Sequence, residues 1–119
     1  MKSGSCLCGG VTYEMTEPLR DVVACHCTQC RKTSGHFWAA TNVPNDRFKI
    51  TKDDTLTWFQ SSTTTRRGFC NTCGSSLFWQ MDGEDATSVG SGTIDGATGL
   101  TTDRHIFTDD KGDYYRIDA

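Results

Sequence analysis

The sequence has little of what membrane, secreted or nucleic-acid-binding proteins need. No run approaches the ~20 consecutive apolar residues that cross a bilayer. The opening Met1-Lys2-Ser3-Gly4-Ser5-Cys6 lacks the apolar core of a secretory signal. Positive charge is in deficit, with 12 Lys and Arg against 15 Asp and Glu and a formal net charge of -3. No broad cationic face can therefore neutralise phosphates, which disfavours DNA or RNA as a partner. Proline occurs only 2 times in 119 residues, and no linker, low-complexity tract or internal repeat divides the chain. These absences leave one domain, residues 1–119, with the cytoplasm as the expected compartment and neither nucleic acid nor membrane as a partner.

Apolar residues are also modest in number, at 35% of the chain. A small domain with a lean core gains from a covalent or metal staple. Seven cysteines are the evident source. Reducing compartments keep thiols unpaired, so clustered cysteines there bind metal or do chemistry more often than they form disulfides. An odd count also fits a fully paired framework poorly.

The pattern of short apolar runs separated by Gly, Asp and Asn predicts a mostly β chain of short antiparallel pieces. Val11, Tyr13 and Met15 alternate with Thr12 and Glu14, the period of a half-buried strand. Further strands are expected over 21–27, 37–43, 48–51, 56–60, 65–69, 76–81, 87–92, 105–108 and 114–117. One short helix is expected at 28–34, stopped by Gly35, and a loop at 95–103. No helix is long enough for a parallel crossover.

The thiols fall into three groups: Cys6 and Cys8 in C-x-C, then Cys25, Cys27 and Cys30 in C-H-C-x-x-C, then Cys70 and Cys73 in C-x-x-C before Gly74. The last group resembles half of a zinc ribbon site, in which a following glycine takes the positive φ that brings backbone N–H groups towards sulfur. A closed tetrahedral site needs two more ligands. Cys6 and Cys8, alternate residues of an extended segment, face the same way and can supply them. A redox C-x-x-C expects a helix after it, whereas Ser75 to Trp79 reads as strand. Cys25, Cys27 and Cys30 then remain. Cys25 and Cys27 share a face, His26 points away, and a turn can return Cys30 to the same ion. Three thiolates with a vacant fourth position is the arithmetic of a catalytic zinc. Closure by His36 or His105, a metal-free trio, or a different division of the cysteines are the alternatives that spacing leaves open.

Three thiolates on Zn²⁺ carry net charge -1, so the ion acidifies water less than one held by three neutral histidines. Hydrolysis is therefore not the first expectation. Soft sulfur ligands suit a soft incoming thiol, which the ion holds as thiolate at neutral pH although a free thiol titrates near ~8.5. Attack of that sulfur on an aldehyde carbon, or its release from an adduct, is the favoured reaction class.

The ordered set C-x-C-G-G, C-H-C-x-x-C-R, Phe69-Cys70-Asn71-Thr72-Cys73-Gly74-Ser75 and a late His105-Ile106-Phe107 resembles the glutathione-dependent formaldehyde-activating enzyme family. That family also includes a vertebrate centromere-associated relative. The likeness runs from about Gly4 to Phe107. It implies an Mss4-like fold of antiparallel sheets with little helix. It also implies two Zn²⁺ per chain, a structural one on Cys6, Cys8, Cys70 and Cys73 and a catalytic one on Cys25, Cys27 and Cys30. The activity implied is carbon–sulfur lyase chemistry, condensing glutathione with formaldehyde or releasing it from the adduct.

Outside the ligand sets, Arg31, Lys32, Arg66 and Arg67 can clamp the carboxylates of a thiol peptide, or simply form solvated charged turns. His36 or His105 within reach of the open zinc can relay a proton. Phe37 or Trp38, next to the C-H-C-x-x-C turn, can line a mouth, although the aromatics read mainly as core. The reading from another class is a noncatalytic zinc-stapled module acting on a protein partner. A redox switch is the third.

Overall fold

A computed structural model describes residues 1–118. Ten strands run in chain order: β1 (Lys2–Ser5), β2 (Val11–Met15), β3 (Val22–Cys25), β4 (Trp38–Pro44), β5 (Phe48–Asp53), β6 (Leu56–Gln60), β7 (Thr65–Cys70), β8 (Ser76–Met81), β9 (Ala86–Gly90) and β10 (Thr102–Ile106). The α-helix α1 (Thr28–Ser34) sits between β3 and β4. A three-stranded sheet has the order β1-β2-β5, and a seven-stranded sheet the order β10-β3-β4-β9-β8-β7-β6.

The smaller sheet supplies the alternation visible in the sequence. Val11, Tyr13 and Met15 are buried, and they join Val43, Leu77, Phe78 and Val89 of the larger sheet in one core. The Tyr13 ring meets Phe78 edge-on at 5.4 Å, and Phe48 meets Phe78 at 5.2 Å. Such T-shaped pairs satisfy ring quadrupoles, and each buried ring of this kind contributes about 1.5–3 kcal/mol through the area it removes from water. The Tyr13 hydroxyl is satisfied at 2.6 Å by Thr93 Oγ1. Cys6 and Cys70 belong to this same core.

Helix α1 spans the residues expected of it. Cys27 is its N-cap, accepting the Cys30 N–H on its own sulfur at 3.3 Å. Gly35 ends it in the left-handed region (φ 85), donating its N–H to the Arg31 carbonyl.

Three details differ from the sequence expectation. β1 was not anticipated, because Lys2-Ser3-Gly4-Ser5 carries no apolar residue; Gly4 is needed where the strand crosses closely over the Tyr13 ring. The late strand lies at 102–106 rather than 105–108, and it pairs with β3 in parallel. No dedicated crossover helix is required, since the rest of the sheet forms the connection between them. Tyr114 to Ile117, expected as a strand, is irregular and packs by its rings instead.

Candidate metal centre

The fold divides the seven cysteines into four and three. The sulfurs of Cys6, Cys8, Cys70 and Cys73 all lie within 4.8 Å of one another, as do those of Cys25, Cys27 and Cys30. All seven thiols are unpaired.

The first group joins two turns. Cys6 ends the crossing from β1 towards β2, and Cys8 follows in the turn. Cys70 closes β7, and Cys73 lies in the tight turn that leads to β8. Gly74, at φ 80, lets this turn close by donating its N–H to the Cys70 carbonyl at 2.9 Å. Backbone N–H groups then aim at sulfur: Thr72 and Cys73 at Cys70 Sγ (3.4 and 3.3 Å), and Val11 at Cys6 Sγ (3.3 Å). Hydrogen bonds of this kind stabilise thiolates. The Cys73 N–H and the Thr55 hydroxyl hold the Cys70 thiol down to about 7. The Ser75 hydroxyl and N–H, with help from Cys8 and Cys70, hold Cys73 down to about 5. Cys8 goes the other way, to about 11. Its bond from Gly10 lowers it, but the three neighbouring sulfurs outweigh that. Four adjacent thiols cannot all ionise without a cation between them.

Sulfurs ~2.3 Å from one ion at the corners of a tetrahedron are about 3.8 Å apart. Cys6 and Cys8 are separated by 3.7 Å, and Cys8 and Cys70 by 3.6 Å. The donor set and its spacing therefore suit a tetrahedral, sulfur-binding ion.

The second group stands at the end of β3. Cys25 closes the strand, Cys27 caps α1, and Cys30 lies one turn into the helix, buried against Trp38 and Ala40. Cys30 Sγ accepts a hydrogen bond from Arg67 Nη2 at 3.4 Å. A bond from Cys25, and beyond it Arg67, hold the Cys30 thiol down to about 6 despite its burial. Cys25 is pushed up, first by its bond to Cys30 and then by burial.

All three cysteines line a cavity of about 780 Å³, together with Trp38, Trp79 and Arg67. No His, Asp or Glu ligand atom joins the three sulfurs among the described residues. The histidines are occupied elsewhere. His26, pointing away from the sulfurs of its neighbours, is completely buried. Its Nδ1 lies 2.6 Å from the Tyr115 hydroxyl and its Nε2 lies 2.9 Å from His105 Nδ1. Burial above all, with His105 and His36 beside it, lowers its pKa. His36 packs against Tyr115 at 4.1 Å, and Phe37 lies over His26 at 4.9 Å. None of the three histidines lines the cavity. No histidine ligand atom is therefore placed beside the three sulfurs as a fourth ligand among the described residues.

The arginine pair divides by strand alternation. Arg66 is exposed, stacking on Trp58 at 3.9 Å and donating twice to Gln80 Oε1, whereas Arg67 is buried in the cavity wall. Of Phe37 and Trp38, it is Trp38 that lines the cavity. Sequence reasoning missed the depth of Arg67. The signal was present in period two, since consecutive strand residues must face opposite ways.

Comparison with known proteins fits this arrangement. The glutathione-dependent formaldehyde-activating enzyme family matches residues 1–110. The chain belongs to this family. An uncharacterized lyase of Schizosaccharomyces pombe is 27% identical over 116 residues, spanning 94% of this chain and 82% of that protein. A solved Rhodobacter sphaeroides protein shares the fold with a TM-score of 0.71 at 25% identity, covering 87% of this chain and 98% of its own. The family's matched span contains both cysteine groups and leaves out Tyr114 and Tyr115.

Proposed function

We propose that this chain is a single-domain zinc enzyme that joins a small thiol, such as glutathione, to formaldehyde or a related aldehyde, and catalyses the reverse release. In this reading Cys6, Cys8, Cys70 and Cys73 hold a structural zinc, and Cys25, Cys27 and Cys30 hold a catalytic one. The observation that carries it is the trio of sulfurs on a cavity wall with no fourth Cys, His, Asp or Glu ligand atom beside them among the described residues. Family membership and the lyase relative support the same reaction class. Seven unpaired thiols suit a reducing cytoplasm.

Cys25, Cys27 and Cys30 would hold the zinc, which would supply Lewis acidity that favours the thiolate form of an incoming thiol at neutral pH. The protein does the rest by placement. Trp38 and Trp79 give the cavity apolar surface beside the three cysteines. In this cavity the substrate sulfur would attack the aldehyde carbon, a C–S bond would form, and the carbonyl π pair would move to oxygen. The thiol proton, released to solvent, is balanced by one taken up at that oxygen, so the product is an S-hydroxymethyl thioether with no change in oxidation. Orientation and desolvation lower the barrier to such an addition.

The test is the purified chain from zinc-replete medium, assayed for metal content and for S-hydroxymethyl adduct formation by exchange NMR. Two zincs per chain are expected, with catalysed exchange that Cys25→Ala abolishes. A chain holding two zincs without accelerating exchange for any thiol offered would contradict the enzymatic reading.

A further inference from the structure

Arg67, on β7, is 6% exposed. A guanidinium is a cation. A charge at that depth needs an opposite charge or a full set of acceptors. No carboxylate answers it: the ion pairs among the described residues are Met1 amino group to Glu17 and Lys52 to Asp54. Glu84 and Asp85 line the same cavity without pairing to it. Nε donates to Gln29 Oε1 at 3.4 Å, the Trp38 ring lies 5.7 Å away, and Nη1 is buried with no partner. Nη2, the remaining nitrogen, donates to Cys30 Sγ at 3.4 Å. The anionic partner that the fold offers this cation is therefore a sulfur of the three-cysteine group.

We infer that Arg67 is a positioning residue, the counter-charge that lets Cys25, Cys27 and Cys30 hold a dication as three thiolates and still admit a fourth, anionic sulfur. The inference rests on the metal reading given above. Three thiolates on a dication total -1, and an incoming substrate thiolate makes -2. Inside a cavity wall that excess is costly, and the guanidinium returns it to -1. The hydrogen bond also draws electron density from Cys30, leaving the ion more receptive to the incoming sulfur. Among the described residues, no arginine donates to the four-sulfur group. There Cys8 is exposed, and backbone N–H groups aim at Cys70 Sγ. The unpartnered Nη1 fits a charge placed for a site that substrate and metal complete.

The experiment uses the full chain loaded with zinc and titrated with a chelator across a pH series, in wild type, Arg67→Met, Arg67→Gln and Arg67→Lys. Both neutral variants are expected to weaken the second zinc at least tenfold and to raise the pH at which acid releases it. Lysine should recover part of the loss, and the four-sulfur ion should be unaffected in all four proteins. Unchanged affinity and release pH in both neutral variants would overturn the assignment. So would loss of both zincs together with cooperative unfolding in Met and Gln alike, which marks a purely structural role. A wild-type chain that binds only one zinc would overturn the metal reading itself, whereas two zincs indifferent to position 67 would sink the role of Arg67 alone.

Discussion

Cys6, Cys8, Cys70 and Cys73 meet where two tight turns face each other, with backbone N–H groups aimed at their sulfurs and none of the four lining the cavity. Cys25, Cys27 and Cys30 meet where a strand hands over to a helix. They line the cavity, and a buried arginine stands behind one of them. On the reading proposed above, the same side chain takes two roles according to what surrounds it. A closed set of four sulfurs fixes distant parts of the chain, while a set of three on a cavity wall leaves room for chemistry.

The sharpest way to break this comparison is to remove one cysteine from each group. Cys70→Ala is expected to abolish cooperative unfolding. Cys70 is fully buried, and structural zinc contributes roughly 10–16 kcal/mol in small zinc peptides, as much as the ~5–15 kcal/mol stability of a whole domain. Cys25→Ala should stay folded, losing about 1 kcal/mol, one metal and all activity. Circular dichroism melts with metal analysis separate the two outcomes. Equal collapse of both variants would make both groups structural.

Acid should sharpen the contrast. Ligands must be deprotonated to bind, so protons compete with the metal. Cys70 and Cys73 are held down to about 7 and about 5. Cys8 of the same group is pushed up to about 11; in the trio Cys30 is held down, to about 6, and Cys25 is pushed up. With three sulfur ligands against four, falling pH is expected to release the ion of the three-sulfur group first and that of the closed group later. A stepwise release followed by a colorimetric zinc indicator checks this, and release of both ions in one step would count against it.

The smallest effect is expected at the tail. Tyr115→Phe removes the hydroxyl that satisfies buried His26, between two of the three cysteines, at a cost of about 1–2 kcal/mol. Chelator competition should show the three-sulfur ion weakened a few-fold and the four-sulfur ion unchanged. Equal weakening of both would mean that the tail supports the whole fold rather than this end of β3.

Much of this was legible in residue order. Period two at Val11, Tyr13 and Met15 gave a strand with the correct inner face, and Gly35 marked the end of α1. Cysteine spacing drew the four-plus-three grouping because C-x-x-C and alternate strand positions are local geometry. What stayed hidden was set by distant contacts. Thr102 to Ile106 is polar and pairs in parallel with β3 across most of the chain, a register that no local pattern specifies. Tyr114 and Tyr115 alternate plausibly for a strand, but ring packing on His36 and the bond to His26 decide their conformation. For the Arg66-Arg67 pair the sequence offers a carboxylate clamp or a solvated charged turn, since nothing in it says that a cysteine sulfur lies beside one of them.

The most direct test of the central contrast is zinc-edge X-ray absorption on the two-zinc protein, compared with Cys25→Ala, which keeps the closed site alone. Subtraction should give one ion with four sulfurs and one with three sulfurs plus a light atom, the latter replaced by sulfur when a small thiol is added. Imidazole scattering from the protein at the second ion, unmoved by thiol, would contradict the account.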